Sequence, residues 1–386
     1  MIPYGRQDIN QADIDAVTEI LKSDFLTQGP TIVNFEKAVA EYCSAKYAVA
    51  VNSATSALHI ACMALDLGPG DWLWTSPNTF VATSNGALYC NANVDFVDID
   101  PNTYNISIEA LKDKLESAKR NNRLPKVVAP VHFSGQSAEM EAIFKLSQEY
   151  GFKIIEDASH AIGASYKNQK VGICKYSDIT VFSFHPVKII TTGEGGMLTT
   201  NDPLLFDRLQ RHRSHGITSN PSQMSERPAD EIWNYQQIMM GYNYRITDIQ
   251  AALGLNQIKR LDEFVNIRHR IANRYNQELA RLPIQLPFQH PDTYSSFHLY
   301  VIRIKLNESP KTQKEVYDAL QLGGVNVNLH YIPVHRQPYY ENLGFKAGYC
   351  PESELYHKET LSIPMYPTLT EEEQSKVIEI LHNCFS

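Results

Sequence analysis

Tyr47-Ala48-Val49-Ala50-Val51-Asn52-Ser53-Ala54-Thr55-Ser56-Ala57-Leu58 is the stretch on which the fold turns. Its first five residues form a short, nearly continuous apolar run, as in a buried strand. The run stops at Asn52-Ser53, and Leu58, Ala61, Cys62 and Leu65 then mark one face of a helix. Small hydroxyl residues therefore open a helix directly after a strand. Free amides and the helix dipole make such an end a phosphate site, although a capped helix end with no ligand has the same sequence.

On either side the alternation continues. Apolar runs at 72–75, 94–97, 127–131, 152–155 and 179–182 predict further strands, and helical patterns at 107–118 and 138–150 separate them. Such alternation argues for an α/β sheet with helices on both faces, where ligand chemistry collects at strand ends. Upstream, 10–23 predicts an amphipathic helix capped by Asn10, then a turn over 25–30 and a second helix through Phe35. Downstream the texture changes. A long polar helix is expected over 246–279, a strand over 298–304, a helix over 312–322 and a last helix from Thr370, with Glu373 completing a capping box. This reading places a large domain at 1–255 and a smaller α+β domain at 256–386.

Composition narrows the function. The 386 residues are 43% hydrophobic and 20% charged, which excludes global disorder, and the net charge of −8 comes with no basic stripe of the kind that nucleic-acid binding requires. Apolar runs fall far short of the roughly 18 residues a membrane span needs. The N-terminus has no basic stretch followed by an apolar core, so a cytoplasmic protein is expected. Six dispersed cysteines lack zinc or redox spacing and read as isolated thiols; no metal is expected.

Two further stretches carry chemistry. In Ser183-Phe184-His185-Pro186-Val187-Lys188, a lysine follows a strand end and precedes the glycine-rich turn 193–196. Its amine can form imines with carbonyls, though one lysine also fits an incidental surface loop. In Glu156-Asp157-Ala158-Ser159-His160, an acid closes an apolar strand with a histidine three residues on. Asp157 alone could cap a helix; it could equally face a pyridinium nitrogen. No Walker sequence and no clear G-x-G-x-x-G follows the first strand. In order along the chain, a phosphate anchor, a ring-nitrogen partner and an imine-forming amine are the protein groups that pyridoxal phosphate needs.

These segments, with Phe25–Pro30, Thr79–Thr83, Gly241–Arg245 and His330-Tyr331, run the length of the chain, which resembles the DegT/StrS-type nucleotide-sugar aminotransferases of the fold-type I pyridoxal-phosphate class. The resemblance implies a large domain with a mostly parallel seven-stranded sheet flanked by helices, plus the smaller C-terminal domain. Asn-Ser-Ala-Thr-Ser-Ala-Leu, Ser-His-Ala-Ile-Gly and Val-Phe-Ser-Phe-His look most like the branch serving pseudaminic acid biosynthesis. Most relatives carry Gly-Thr for Ala54-Thr55 and often Gln for His160.

By that resemblance, Lys188 matches the imine-forming lysine and proton shuttle, and Asp157 the partner of the pyridine nitrogen. His160 would hydrogen-bond near the phenolic oxygen and Phe80 would stack on the ring. Ala54, Thr55 and Ser183 would contact the phosphate. Asn243 would reach the same phosphate across a homodimer with shared active sites. Tyr4, Asp24, Phe25, Leu26, Thr27, His330, Tyr331, Ile332 and Pro333 would line the substrate cleft, where His298, His335 and Arg336 could add polar contacts. Arg245 would meet the donor or sugar diphosphate, or form a structural ion pair. The implied reaction moves the amino group of L-glutamate to the 4-keto carbon of UDP-2-acetamido-2,6-dideoxy-β-L-arabino-hexos-4-ulose. Another UDP- or dTDP-linked keto sugar, or a non-catalytic sensor on the same fold, are the alternatives. Dehydratase relatives replace the lysine by histidine, against which Lys188 argues.

Overall fold

The computed structural model describes residues 1–228, 230–231 and 234–386. Its centre is a seven-stranded sheet: β1 (Tyr47–Val51), β2 (Trp72–Thr75), β3 (Asn93–Phe96), β4 (Val127–Ala129), β5 (Lys153–Asp157), β6 (Ile179–Ser183) and β7 (Gly196–Thr200). The spatial order is β1-β7-β6-β5-β4-β2-β3, and only β7 runs against the others. Both faces are covered, which is why the strands read as apolar runs rather than as alternating ones. Val49 and Val51 of β1 join Leu58, Val181 and Leu198 on one side. Ala48 and Ala50, pointing the other way, join Phe35, Val39 and Phe182.

The helices cap as their sequences ask. Helix α1 (Gln11–Leu21) starts with a capping box between Asn10 and Asp13. Helix α2 (Pro30–Cys43) starts at Gly29, which has no side chain to cap it. A distant carboxylate takes over: Asp248 accepts from the amides of Gly29 (2.7 Å), Thr31 (3.0 Å) and Ile32 (3.4 Å). Helix α3 (Ala54–Ala64) is capped by Ser53, whose Oγ accepts from the Ser56 amide at 3.1 Å. Helix α4 (Ala82–Tyr89) has no side-chain cap and packs closely on α3, since a Cβ on Gly86 would lie 3.3 Å from the Leu58 backbone.

Several expected elements differ. The long helix over 246–279 is broken into Asp248–Gln257, a tight 3-10 turn over Ile258–Arg260, and Leu261–Glu278. Neither glycine nor proline causes the break. The N-terminal segment is docked at the break: Gln257 donates to the Asp8 carbonyl (2.9 Å) and to Asp13 (2.8 Å), and Arg260 to Asp13 (3.0 Å). The strand expected over 298–304 begins at Tyr300, and that expected over 127–131 ends at Ala129.

A second antiparallel sheet pairs Ile284–Gln285, Tyr300–Ile304 and Thr360–Ile363. Its core gathers Tyr275, Ile302, Val316, Val377 and Leu381, and also Ile2 from the N-terminus. Val334, Tyr340 and Cys350 return to the core of the large sheet. Tyr4 of the N-terminal segment and His330-Tyr331 line one cleft with the ends of β5 and β6. The six cysteines are free.

Candidate active site

The C-terminal ends of β5 and β6, the start of α3 and the segments around Phe80, His298 and His330 enclose a cleft of about 960 Å³. That is at the upper end of the range for small-molecule sites. Asp157 ends β5, and its carboxylate is buried at 4% exposure. Oδ2 accepts from the Thr83 hydroxyl at 2.6 Å and Oδ1 from the Ser159 amide at 3.1 Å. Turns follow it rather than a helix, so the helix-cap reading of Asp157 does not hold.

Lys188 sits in the turn after β6, its amide donating to the His185 carbonyl at 2.9 Å. Part of the side chain is open to the cleft, while dense protein surrounds the amine. Burial lowers the amine to about 8, against a smaller upward pull from the Asp157 charge. A substantial neutral fraction is what a nucleophilic amine requires.

Three buried histidines line the same cleft, and His185 lines it as an exposed residue. His160 Nδ1 accepts from the Ser134 amide at 3.3 Å, so Nε2 carries the hydrogen and donates to the Tyr331 hydroxyl at 3.1 Å. Both its nitrogens are therefore engaged inside the protein. What His160 offers a ligand as placed is its ring, and the Tyr331 hydroxyl extends its polar reach. His330 Nδ1 pairs with the Ser362 hydroxyl at 2.8 Å. The His298 ring lies 4.4 Å from that of His160, and its buried Nδ1 has no partner. Burial and the nearby Lys188 charge hold His160 well below 6.5 and His330 down at about 3. Burial, then the neighbouring His160, does the same to His298. All three are neutral imidazoles near neutral pH.

At the start of α3, Ser53 and Ala57 take the usual capping bonds, and the amides of Ala54 and Thr55 are the first two of the helix, with no intrahelical partner. Gly196 of β7 makes this cradle possible, because a Cβ there would lie 2.7 Å from the Ser53 carbonyl carbon and 2.8 Å from the Ala54 nitrogen. Tyr4, Phe80 and Ser183 also line the cleft, Phe80 at 59% exposure.

Other expected site residues lie outside the cleft of one chain. Asp24, Phe25, Leu26 and Thr27 form an exposed turn, held by the bridge between Thr27 and Thr247. Ile332 points to solvent, Pro333 is buried at the start of a 3-10 turn, and Asn243 is exposed beside Ser214. His335 and Arg336 are taken by Glu354 (2.8 Å) and Glu341 (2.9 Å). Conversely, Thr79, Thr83, Glu194, Gln250 and Asn328 line the cleft without having been singled out. For Thr83 a signal was present, since it shares the Thr79–Thr83 segment with Phe80.

These groups fit pyridoxal phosphate. The amides opening α3 suit its phosphate, the Asp157 carboxylate its ring nitrogen and the Lys188 amine its carbonyl. The unpartnered buried Nδ1 of His298 adds a polar atom at the cleft wall that the protein leaves unsatisfied. The fold and the cleft thus define an aminotransferase of the pyridoxal-phosphate-dependent α/β class. The DegT/DnrJ/EryC1/StrS aminotransferase family model matches residues 7–382, and the chain belongs to that family, whose cofactor is pyridoxal phosphate. It is a sugar aminotransferase. It is 39% identical to the spore coat polysaccharide biosynthesis protein SpsC of Bacillus subtilis, over 99% of this chain and 96% of the relative. It is 38% identical to a UDP-4-amino-4,6-dideoxy-N-acetyl-beta-L-altrosamine transaminase of Campylobacter jejuni, over 95% and 93%. Helicobacter pylori PseC, an aminotransferase of pseudaminic acid biosynthesis, superimposes with a TM-score of 0.88 at 30% identity, covering 100% of this chain and 99% of that one. Among the described residues no helix is long and apolar enough to cross a membrane, and no cluster of metal ligands occurs.

Proposed function

We propose that the chain transfers the amino group of L-glutamate to the 4-keto carbon of UDP-2-acetamido-2,6-dideoxy-β-L-arabino-hexos-4-ulose, a step of pseudaminic acid biosynthesis. The observation that carries the chemistry is one cleft lined by both Lys188 and the buried Asp157 carboxylate. The choice of sugar is supported by the Campylobacter relative and by the PseC likeness.

Bound pyridoxal phosphate supplies an electron sink for breaking a bond to hydrogen at the carbon bearing the amine. Lys188 holds the cofactor at rest. Once released, its amine would take the proton from the glutamate α-carbon in the first half-reaction and would deliver a proton to carbon 4 of the sugar in the second. Asp157 keeps the ring nitrogen protonated by presenting a carboxylate to it. Ala54 and Thr55 bind the phosphate through amides and a hydroxyl, and Ser183 adds a hydroxyl. Phe80, exposed at the mouth, covers the ring. His160 orients Tyr331, and Tyr4, His330 and Tyr331 shape the sugar side.

A homodimer completes this reading. Phe25 and Leu26 on the 24–27 turn and Phe80 at the cleft are large apolar side chains left 46–59% exposed, and Asn243 is exposed as a residue reaching a neighbour would be. In a pair of chains, the 24–27 turn and Asn243 of one would meet the cleft of the other.

The test is mass spectrometry of products from the UDP-4-keto sugar with glutamate. The 4-amino sugar and 2-oxoglutarate are expected, and Lys188→Ala should form neither. The 39% relative is named for spore coat polysaccharide biosynthesis, without a named sugar, so a dTDP-linked keto sugar is assayed in parallel. Turnover of the dTDP substrate alone would overturn the UDP assignment. An absorbance spectrum unchanged by glutamate would overturn the transaminase reading itself.

A further inference from the structure

The Asp157 carboxylate has a partner that the sugar-aminotransferase chemistry does not by itself require. Thr83, 1% exposed near the start of α4, brings its Oγ1 to 2.6 Å from Asp157 Oδ2. Thr79, 3% exposed, lies one helical turn earlier with its Oγ1 at 2.7 Å from that of Thr83. Thr83 has one hydroxyl hydrogen and three acceptors in reach: the Phe80 carbonyl at 3.2 Å, the Thr79 hydroxyl and the carboxylate. The carboxylate is both nearest and charged, and a length near 2.6 Å is that of a charge-assisted O–H···O⁻ bond. Thr83 therefore donates to Asp157, and Thr79, left to act as donor, donates to Thr83. The other carboxylate oxygen receives the Ser159 amide.

We propose that Thr83, backed by Thr79, is a positioning residue that keeps the proton shared by Asp157 and the cofactor ring on the ring nitrogen. The inference rests on the proposed role of Asp157. Its physics is direct: each donor to a carboxylate stabilises the charged form and lowers its proton affinity. With both oxygens satisfied by one fixed donor each, Asp157 faces the ring as a carboxylate rather than as a carboxylic acid. Remove the Thr83 hydroxyl, and a buried oxygen loses its donor. The carboxylate becomes more basic, draws the proton towards itself, and the ring loses electron-withdrawing power. The Thr79 hydroxyl, donating to Thr83 at 2.7 Å, occupies a lone pair of that oxygen and leaves its hydrogen for the carboxylate, so the donor stands ready before a ligand binds.

The experiment loads wild-type enzyme, Thr83→Val, Thr83→Ser and Thr79→Val with pyridoxal phosphate carrying a ¹⁵N ring atom, and reads its nitrogen chemical shift near neutral pH. Wild type should lie in the pyridinium range and Thr83→Val should move towards neutral pyridine. Thr83→Ser should return to the wild-type value, and Thr79→Val should move the same way by less. In turnover, Thr83→Val should lose roughly 10- to 100-fold in kcat with little change in the glutamate KM, as expected for a lost hydrogen bond to a charged group. With a cofactor analogue having carbon in place of the ring nitrogen, wild type and Thr83→Val should turn over alike. A wild-type shift in Thr83→Val, or Thr83→Ser behaving like valine, overturns the inference. If Thr83→Val does not fold, an unmoved shift in Thr79→Val overturns it. If wild type itself holds a neutral ring, the role of Asp157 fails, and the inference with it.

Discussion

The amine of Lys188 should behave as a base that titrates near pH 8 in the cofactor-free enzyme. Removing an ammonium from water is costly, and burial accordingly lowers this group from 10.5 to about 8, while the Asp157 charge pulls it back up. At about pH 7 roughly one Lys188 amine in ten is then neutral, against roughly one in three thousand at 10.5. The nucleophilic form is thus enriched on the order of 300-fold. Pulse labelling with acetic anhydride between about pH 6 and 10.5, read by mass spectrometry of the Lys188 peptide against a short lysine peptide as standard, measures this directly. The labelling midpoint should fall near 8. Since Asp157 raises the amine, Asp157→Asn should move the midpoint lower still. A Lys188 midpoint coinciding with that of the standard peptide, or one that rises in Asp157→Asn, would refute the reasoning.

Three other outcomes follow from the packing and the cleft. Asp248→Ala removes the acceptor for three amides at the start of α2 and should cost about 2–3 kcal/mol in urea unfolding; a loss under about 0.5 kcal/mol would show that water replaces it. Gly196→Ala drives a methyl group into the Ser53–Ala54 backbone and should weaken pyridoxal-phosphate affinity at least about tenfold by fluorescence titration, a larger effect than on the melting temperature. His330 titrates at about 3 in the folded chain, so the unfolded state binds its proton first as pH falls below about 6.5. Its contribution is therefore present above 6.5 and is lost progressively as pH drops towards 3, by up to about 1.4 kcal/mol per pH unit. Urea midpoints measured from about pH 7 to 4 should fall, and His330→Asn should flatten that slope.

The sheet was legible because its strands are buried on both faces, so 47–51 and 179–182 stand out as unbroken apolar runs. Lys188, Asp157 and the start of α3 were legible because they sit at strand ends, where the apolar pattern stops and a polar residue has little structural reason to be. Helix α4 was not. Its Ala-Thr-Ser-Asn-Gly composition carries no apolar periodicity, and the small residues let the helix lie against the α3 backbone. The break after Gln257 was equally silent, since its side-chain partners Asp8 and Asp13 lie some 250 positions away. Thr83 was passed over for a related reason: a threonine earns a role only from what its hydroxyl meets, and that carboxylate is 74 residues distant. The exposed turn at 24–27 carries family motif residues whose position in one chain gives them no ligand to touch.

Electrostatics unites these features. A chain of net charge −8 binds an anionic cofactor in a cleft where Lys188 is the only lysine or arginine among the lining residues described. Among the lining residues of one chain, the groups suited to a phosphate are the oriented amides at the start of α3, which carry partial positive charge at any pH. The histidines obey the same logic. If His160, His298 and His330 were cationic, their charge would favour a neutral Lys188 but would also compete for Asp157, whose carboxylate the ring nitrogen needs. Burial keeps all three neutral, so they shape and hydrogen-bond without adding charge. Among the buried basic groups of the cleft, the amine of Lys188 is then the one that titrates near neutral pH, set by its burial and by one carboxylate, and that carboxylate is in turn held by Thr83.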